Sequence, residues 1–251
     1  LQKSKNQFQN QDRWNKKGLD FIQELKKNPT KYLIDKPNEG ITRQDSWLDY
    51  NREVGNLKEK SILEIGCGRG EFSVYMAKQG AKVTAVDIGP DLINSAKEVS
   101  RINDTNIKFI CCCATKIDLT ANSFDLVSGM AILHHLSDEN IISILKISRK
   151  LLKPGAKVIF VEPIENSKTF DFIQNLVPVG RRPSIIQRKK WSKYVECLDE
   201  RALKTSELIE WGERAGFSKI QVFHRGLTIR LSRIIGKRHI PTLKNIDNFL
   251  L

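Results

Sequence analysis

The stretch ILEIGCGRGEF, residues 62–72, decides the fold. A short apolar run carrying one acid, Glu64, ends in glycines at 66, 68 and 70, and a segment compatible with a helix follows at once. Branched apolar residues bounded by glycine read as a strand. Glycines let the following turn adopt positive φ and let the backbone come close to a ligand. Strand, glycine turn and helix together open a βαβ unit with a ligand expected on the turn. The next apolar run, AKVTAVD, ends about 20 residues further on at Asp87, where an acid can accept hydrogen bonds from a ribose diol.

Two ligand classes suit such a turn, a dinucleotide or S-adenosylmethionine (SAM). Dinucleotide turns space their glycines G-x-G-x-x-G and seat a pyrophosphate on the helix N-terminus. Here the run is E-x-G-x-G-x-G, and Glu71 stands at the helix start, where it would repel a pyrophosphate. The pattern favours the ligand without phosphates.

Outward from this unit, strands and helices alternate. Helices are expected over Phe72 to Gln79, from Pro90 and Asp91 onward, and over Glu139 to Leu152, which KPG stops. Strands are expected at IKFICC, at FDLVSGM ending in Met130, and at AKVIFVE from Ala156 to Glu162. After a break comes a helix over Ser206 to Ala215, a stop at Gly216 and a strand over Ser218 to Phe223. Alternation of this kind implies an α/β fold, a Rossmann-like, mainly parallel sheet with helices on both faces. The expected organisation has three parts: a helical arm or lid over 1–58, a core over 59–224 with an insertion at about 163–205, and a basic amphipathic segment over 225–251. In the arm, Trp14, Leu19, Phe21, Ile22 and Leu25 form one apolar stripe. After the break at KPNEG, residues 36–40, Trp47, Leu48, Tyr50, Val54 and Leu57 form another.

With 251 residues and 28.7 kDa, the chain suits one large α/β domain. At 40% apolar and 28% charged residues, wholesale disorder and fibrous folds are excluded. No run approaches the roughly 18 apolar residues a spanning helix needs. The chain starts at Leu1 with a polar stretch and no apolar signal core, so a trimmed N-terminus, no secretory signal and a cytoplasmic location are expected. Cys67, Cys111, Cys112, Cys113 and Cys197 are odd in number and three are adjacent, so no disulfide framework is expected. Without paired CxxC spacing no metal site is expected, and the run at 111–113 reads as small buried hydrophobes. The net charge is +13, concentrated in the C-terminal third, which points to an acidic substrate, nucleic acid or an anionic surface.

From Lys60 to Phe223 the sequence resembles the class I SAM-dependent methyltransferases, in the small-molecule group with a GxGxG turn and a downstream LHHL. The likeness is carried by ILEIGCGRG, VTAVDIGPDLINSAKE, NSFDLVSGMAILHHLSD, ILKISRKLLKPGAKVIFVEP and ELIEWGERAGF. It implies the class I methyltransferase fold, with the N-terminal arm and a C-terminal cover around the core. It also implies SAM as cofactor, held by Glu64, Gly66, Cys67, Gly68 and Gly70 of the turn and by Met130. Asp87 would bind the ribose hydroxyls, Ile88 would pack on adenine, and Cys113 with Ala114 would stand at the adenine edge. The family commonly has an aspartate at the Cys113 position, and a thiol is a poor acceptor for the adenine amino group. Arg69 is a second departure, since many relatives have a small polar residue there.

His134 and His135 follow the fourth strand and are the candidate catalytic bases, because a neutral imidazole can take a proton from an acceptor hydroxyl. Methyl transfer from a sulfonium also proceeds by proximity and alignment in a dry pocket. In GRRPSIIQRKKWSK, residues 180–193, Arg181, Arg182 and Trp191 are candidates for gripping an anionic acceptor. The amphipathic tail suits a lid over a lipid-like acceptor or peripheral contact with an anionic membrane. A final strand expected beyond it is missing, so either the sequence is truncated or the sheet ends early. The reading that results is O-methylation of a small or medium-sized metabolite. The alternatives are an RNA (tRNA) methyltransferase, with nucleic acid as the partner, and a SAM-binding non-catalytic partner subunit.

Overall fold

The computed structural model describes residues 2–34, 50, 53–163 and 203–223. Contacts divide the chain into two units, residues 1–133 with 139–162, and residues 134–138 with 163–251. The first unit holds a five-stranded sheet in the order β3-β2-β1-β4-β5. Its strands are β1 Ser61–Ile65, β2 Lys82–Asp87, β3 Lys108–Cys111, β4 Phe124–Met130 and β5 Leu152–Val161. Every pairing is parallel.

The chain starts at β1, winds outward to β3 and returns to place β4 on the other side of β1. Right-handed crossovers then put the helices after β1 and β2 on one face and the helix after β4 on the other. Between β1 and β4 the direction of winding reverses, and open α/β sheets bind ligands in the crevice outside the strand carboxyl ends at that point.

Among the described residues, α1 Gln2–Lys27, α2 Glu71–Lys78, α3 Pro90–Ile102 and α4 Asp138–Leu151 accompany the sheet. α3 and α4 each bury one apolar stripe, whereas α2 is buried at every residue from Phe72 to Met76 and packs on more than one side. In α3 the stripe is Leu92, Ile93, Ala96 and Val99, at the spacing that keeps side chains on one face. Pro90 starts this helix, where its missing N–H costs nothing and its fixed φ suits the first turn. Under α2, Ile62, Val83, Ala85 and Leu126 of the sheet meet Phe72, Tyr75 and Met76, and Tyr50, Val54 and Leu57 of the upstream stripe complete this cluster.

The second half of α1 is anchored. Phe21 and Leu25 form a cluster with Val74 of α2 and Val99 of α3. At Gly18 the approach to α3 is so close that a Cβ would lie 2.6 Å from the Asp91 carbonyl carbon, and Ser95 Oγ donates to the Gly18 carbonyl at 3.0 Å.

Helix boundaries agree with the sequence reading to within a residue or two, but two expectations are corrected. Ser218 to Phe223 forms no strand. Its alternating apolar residues fit a strand, yet a strand needs a ladder partner, and none pairs with it among the described residues. The cysteine run is not buried: Cys111 is exposed and Cys112 and Cys113 are half-buried. They lie at and just beyond the end of β3, a four-residue edge strand, and an edge strand is covered on one side only. A smaller difference concerns β5, whose ladder with β4 begins at Leu152 and then skips to Lys157. Pro154 lacks an N–H and Gly155 has φ +77°, so KPG loops out between paired positions.

Of the second unit, the described part centres on helix α5, Thr205–Arg214. Glu207 accepts the Lys204 N–H at 3.0 Å and so satisfies one free donor at the helix start. Trp211 is fully buried, and Gly212 leaves room for Ile220. Gly216 ends the helix with φ +87°. Arg181, Arg182, Trp191, Cys197, most of the insertion and the 225–251 segment lie outside the described residues.

Candidate functional site

The glycine turn leaves β1 with φ +74°, +53° and +77° at Gly66, Gly68 and Gly70. The amides of Gly66 and Cys67 donate to the Val86 carbonyl at 2.8 and 3.0 Å, so the turn is tied to the end of β2. Gly68 donates its N–H to Asp87 Oδ2 at 2.8 Å, and Gly89 donates to Asp87 Oδ1 at 3.0 Å. Each carboxylate oxygen keeps a further lone pair for a ligand hydroxyl. Burial pushes the Asp87 carboxyl up from its ordinary value, and the amides of Gly89, Gly68 and Ile88 oppose that shift.

A Cβ built on Gly68 meets nothing within 4 Å, whereas one on Gly70 would lie 2.7 Å from Ala96 Cβ and one on Gly66 would collide with Ile132. At Gly70 and Gly66 a side chain would therefore collide with the fold itself. Gly68 faces open space beside a carboxylate, the cradle an adenosyl ribose needs, so the residues fit SAM.

Glu64 lies beneath the turn. It is 1% exposed, and Ser73 Oγ at the start of α2 donates to its Oε2. Burial, helped by the neighbouring Asp87, raises its carboxyl to about 7 against the hydrogen bond from Ser73. This position makes Glu64 a support of the turn, and Cys67, also buried, shares it. At the β3 side, Cys112 N–H donates to the Asp87 carbonyl at 2.9 Å and Cys111 Sγ lies 3.7 Å from the Ile88 carbonyl oxygen. Cys113 precedes the short turn Ala114–Lys116, and its Sγ lies 3.2 Å from Thr115 Oγ1. Ile88, Cys113, Ala114 and Met130 are all half-buried at the strand carboxyl ends.

Sequence reading missed two contributors, Glu162 and Ile132. Glu162 Oε1 accepts the amides of Ile132 and Leu133, both at 2.9 Å, and so fixes the chain where it leaves β4. Ala131, with φ +56°, makes the turn that brings Ile132 over Gly66. An acid ending β5 was the available signal, but its partners lie about 30 residues away and no local pattern names them.

The candidate bases His134 and His135 lie in the turn Leu133–His135 with ring centroids 3.9 Å apart. Among the described residues no group of His, Cys, Asp and Glu could hold a metal ion. Among the same residues no helix is long and apolar enough to cross a membrane.

A methyltransferase-domain family model matches residues 62–155, from β1 into β5. The chain belongs to the class I SAM-dependent methyltransferases, and it is an enzyme that uses SAM. Among its relatives is a ubiquinone biosynthesis O-methyltransferase of Coxiella burnetii, 29% identical over 182 residues that make up 70% of each chain. The protein of that name from Pseudoalteromonas translucida is 31% identical over 172 residues, 65% of this chain and 66% of its own. Among solved structures, magnesium protoporphyrin IX methyltransferase from Synechocystis PCC 6803 with bound SAH shares the fold. Its TM-score is 0.56 at 17% identity, covering 86% of this chain and 91% of that one.

Proposed function

We propose that this methyltransferase moves the methyl group of SAM to a hydroxyl oxygen of a small or medium-sized metabolite. The observation that carries the reading is the Asp87 carboxylate, held by the Gly68 and Gly89 amides beside an open Gly68, in a chain whose curated relatives are named O-methyltransferases. A precursor in quinone biosynthesis fits those relatives' names.

SAM supplies an electrophilic methyl on a sulfonium, so the protein's tasks are to hold, align and keep the site dry. In this reading Asp87 accepts the ribose hydroxyls, Ile88 packs on adenine, and Cys113 with Ala114 bounds its edge. Gly66, Gly68 and Met130 line the methionyl end. Glu64, Cys67 and Gly70 hold the turn in shape. His134 or His135 takes the proton that the acceptor hydroxyl loses. Arg181, Arg182 and Trp191, on the far side of β5 in sequence, grip an anionic part of the acceptor. The enzyme works in the cytoplasm.

Methyl-labelled SAM incubated with fractionated small-molecule extract, and separately with tRNA, tests this. Label on the oxygen of a small molecule supports the reading. Label on tRNA, or none on any fraction while SAM binds tightly, overturns it in favour of an RNA methyltransferase or a non-catalytic subunit.

A further inference from the structure

Arg69 sits between Gly68 and Gly70, inside the turn that receives the cofactor, yet its side chain points away toward the N-terminal helix. Its guanidinium carbon lies 4.3 Å from the centroid of the Phe21 ring on α1. The same guanidinium pairs with Glu71 in the first turn of α2, its Nη2 lying 3.4 and 3.1 Å from the two carboxylate oxygens. Neither partner of that pair is freely solvated, their side chains being 29% and 23% exposed. Phe21 in turn is 3% exposed and meets Tyr32 edge to face, with centroids 4.8 Å apart.

Glycines have little conformational preference of their own, and a turn with three of them loses freedom when a ligand binds unless something fixes it beforehand. The backbone of the turn is held from inside by Val86 and Asp87. Arg69 is the handle by which it is held from outside. The Phe21 end of that handle is itself fixed, because Gly18 meets the start of α3 too closely for any side chain and Ser95 bonds its carbonyl. A guanidinium on an aromatic face is attracted by the negative face of the ring.

We propose that Arg69 is a positioning residue: stacked on Phe21 and paired with Glu71, it lets α1 hold the glycine turn in the shape that receives SAM. The arm is thus a part of the cofactor site although it supplies no contact to the cofactor through this pair. The inference rests on SAM occupying the glycine turn.

A calorimetric double-mutant cycle on the full chain with S-adenosylhomocysteine (SAH) as probe tests it. Arg69→Met and Phe21→Leu should each weaken SAH about threefold or more, and the double variant should lose no more than the worse single one. Phe21→Tyr keeps the aromatic face and should bind as the wild type does. Tyr32→Leu removes the ring that meets Phe21 edge to face and should lower the melting temperature without changing SAH affinity. The proposal is overturned if folded Arg69→Met and Phe21→Leu bind SAH normally and lose only stability, or if their losses add. Arg69→Lys, which keeps the charge and loses the planar fork, guards against a variant that fails to fold, and wild-type affinity in it also overturns the proposal. A wild-type chain that does not bind SAH at all removes the cofactor reading itself, which is a distinct outcome.

Discussion

Asp87 Oδ2 accepts the Gly68 amide at 2.8 Å, so the acid that ends β2 and the middle glycine of the turn after β1 form one unit. This bond places a carboxylate at the edge of open space and shapes the turn at the same time. The consequences of altering the turn therefore separate by position.

Gly68→Ala and Gly70→Ala should fail in different ways. Both positions have positive φ, which an alanine adopts at a cost of about 1 kcal/mol. At Gly68 the added methyl enters open space, so stability falls by little more than that cost while SAH affinity drops about tenfold or more. At Gly70 the methyl meets Ala96 at 2.7 Å, and the total loss of stability should be roughly 2–4 kcal/mol. Urea unfolding and SAH titration of both variants check this, and normal SAH affinity in Gly68→Ala would contradict the placement of the ligand.

Glu64 gives the protein a pH-dependent stability. Its carboxyl is raised by burial from 4.5 to about 7 in the folded state, so the native protein holds the proton more tightly than the unfolded chain. Its contribution is complete below the unfolded value and is lost as pH rises through about 7. The loss is on the order of 3 kcal/mol. Asp87, also raised, acts in the same direction. Glu64→Gln keeps an oxygen for the Ser73 hydroxyl and removes the titration, so its unfolding midpoint should vary less between about pH 5 and 8. Parallel profiles for the two proteins would show that Glu64 does not titrate in this window.

Much of this site is legible in the sequence because its parts are local. Ile62 to Phe72 names its own strand, turn and helix, and Asp87 ends the next strand at the expected interval. What escaped depends on partners far along the chain. The exposure of Cys111 follows from β3 lying at the sheet edge, which only the strand order reveals. The alternation in Ser218 to Phe223 satisfies a strand pattern but cannot supply a neighbour. Glu162 reads as an ordinary charged residue until β4 is placed beside it, and Arg69, a departure from the resembling family, gains a partner only once α1 is placed.

If His134 or His135 takes the proton of the acceptor, replacing it by alanine should lower kcat about a hundredfold. SAH affinity should stay unchanged in the same variants, because neither ring is needed to hold the cofactor. An unaltered kcat in both single variants and in the double variant would leave proximity and alignment as the source of the rate.

The most direct test of the central claim, that SAM is held by the β1 turn and the acid ending β2, is calorimetric titration of SAH into the wild-type chain and a folded Asp87→Ala variant. The account predicts SAH binding to the wild type, loss of at least about tenfold in the variant through a hydrogen bond to a charged group worth roughly 1.5–3 kcal/mol, and no measurable NAD binding. Equal SAH affinity in the two proteins, or binding of NAD in place of SAH, would contradict it.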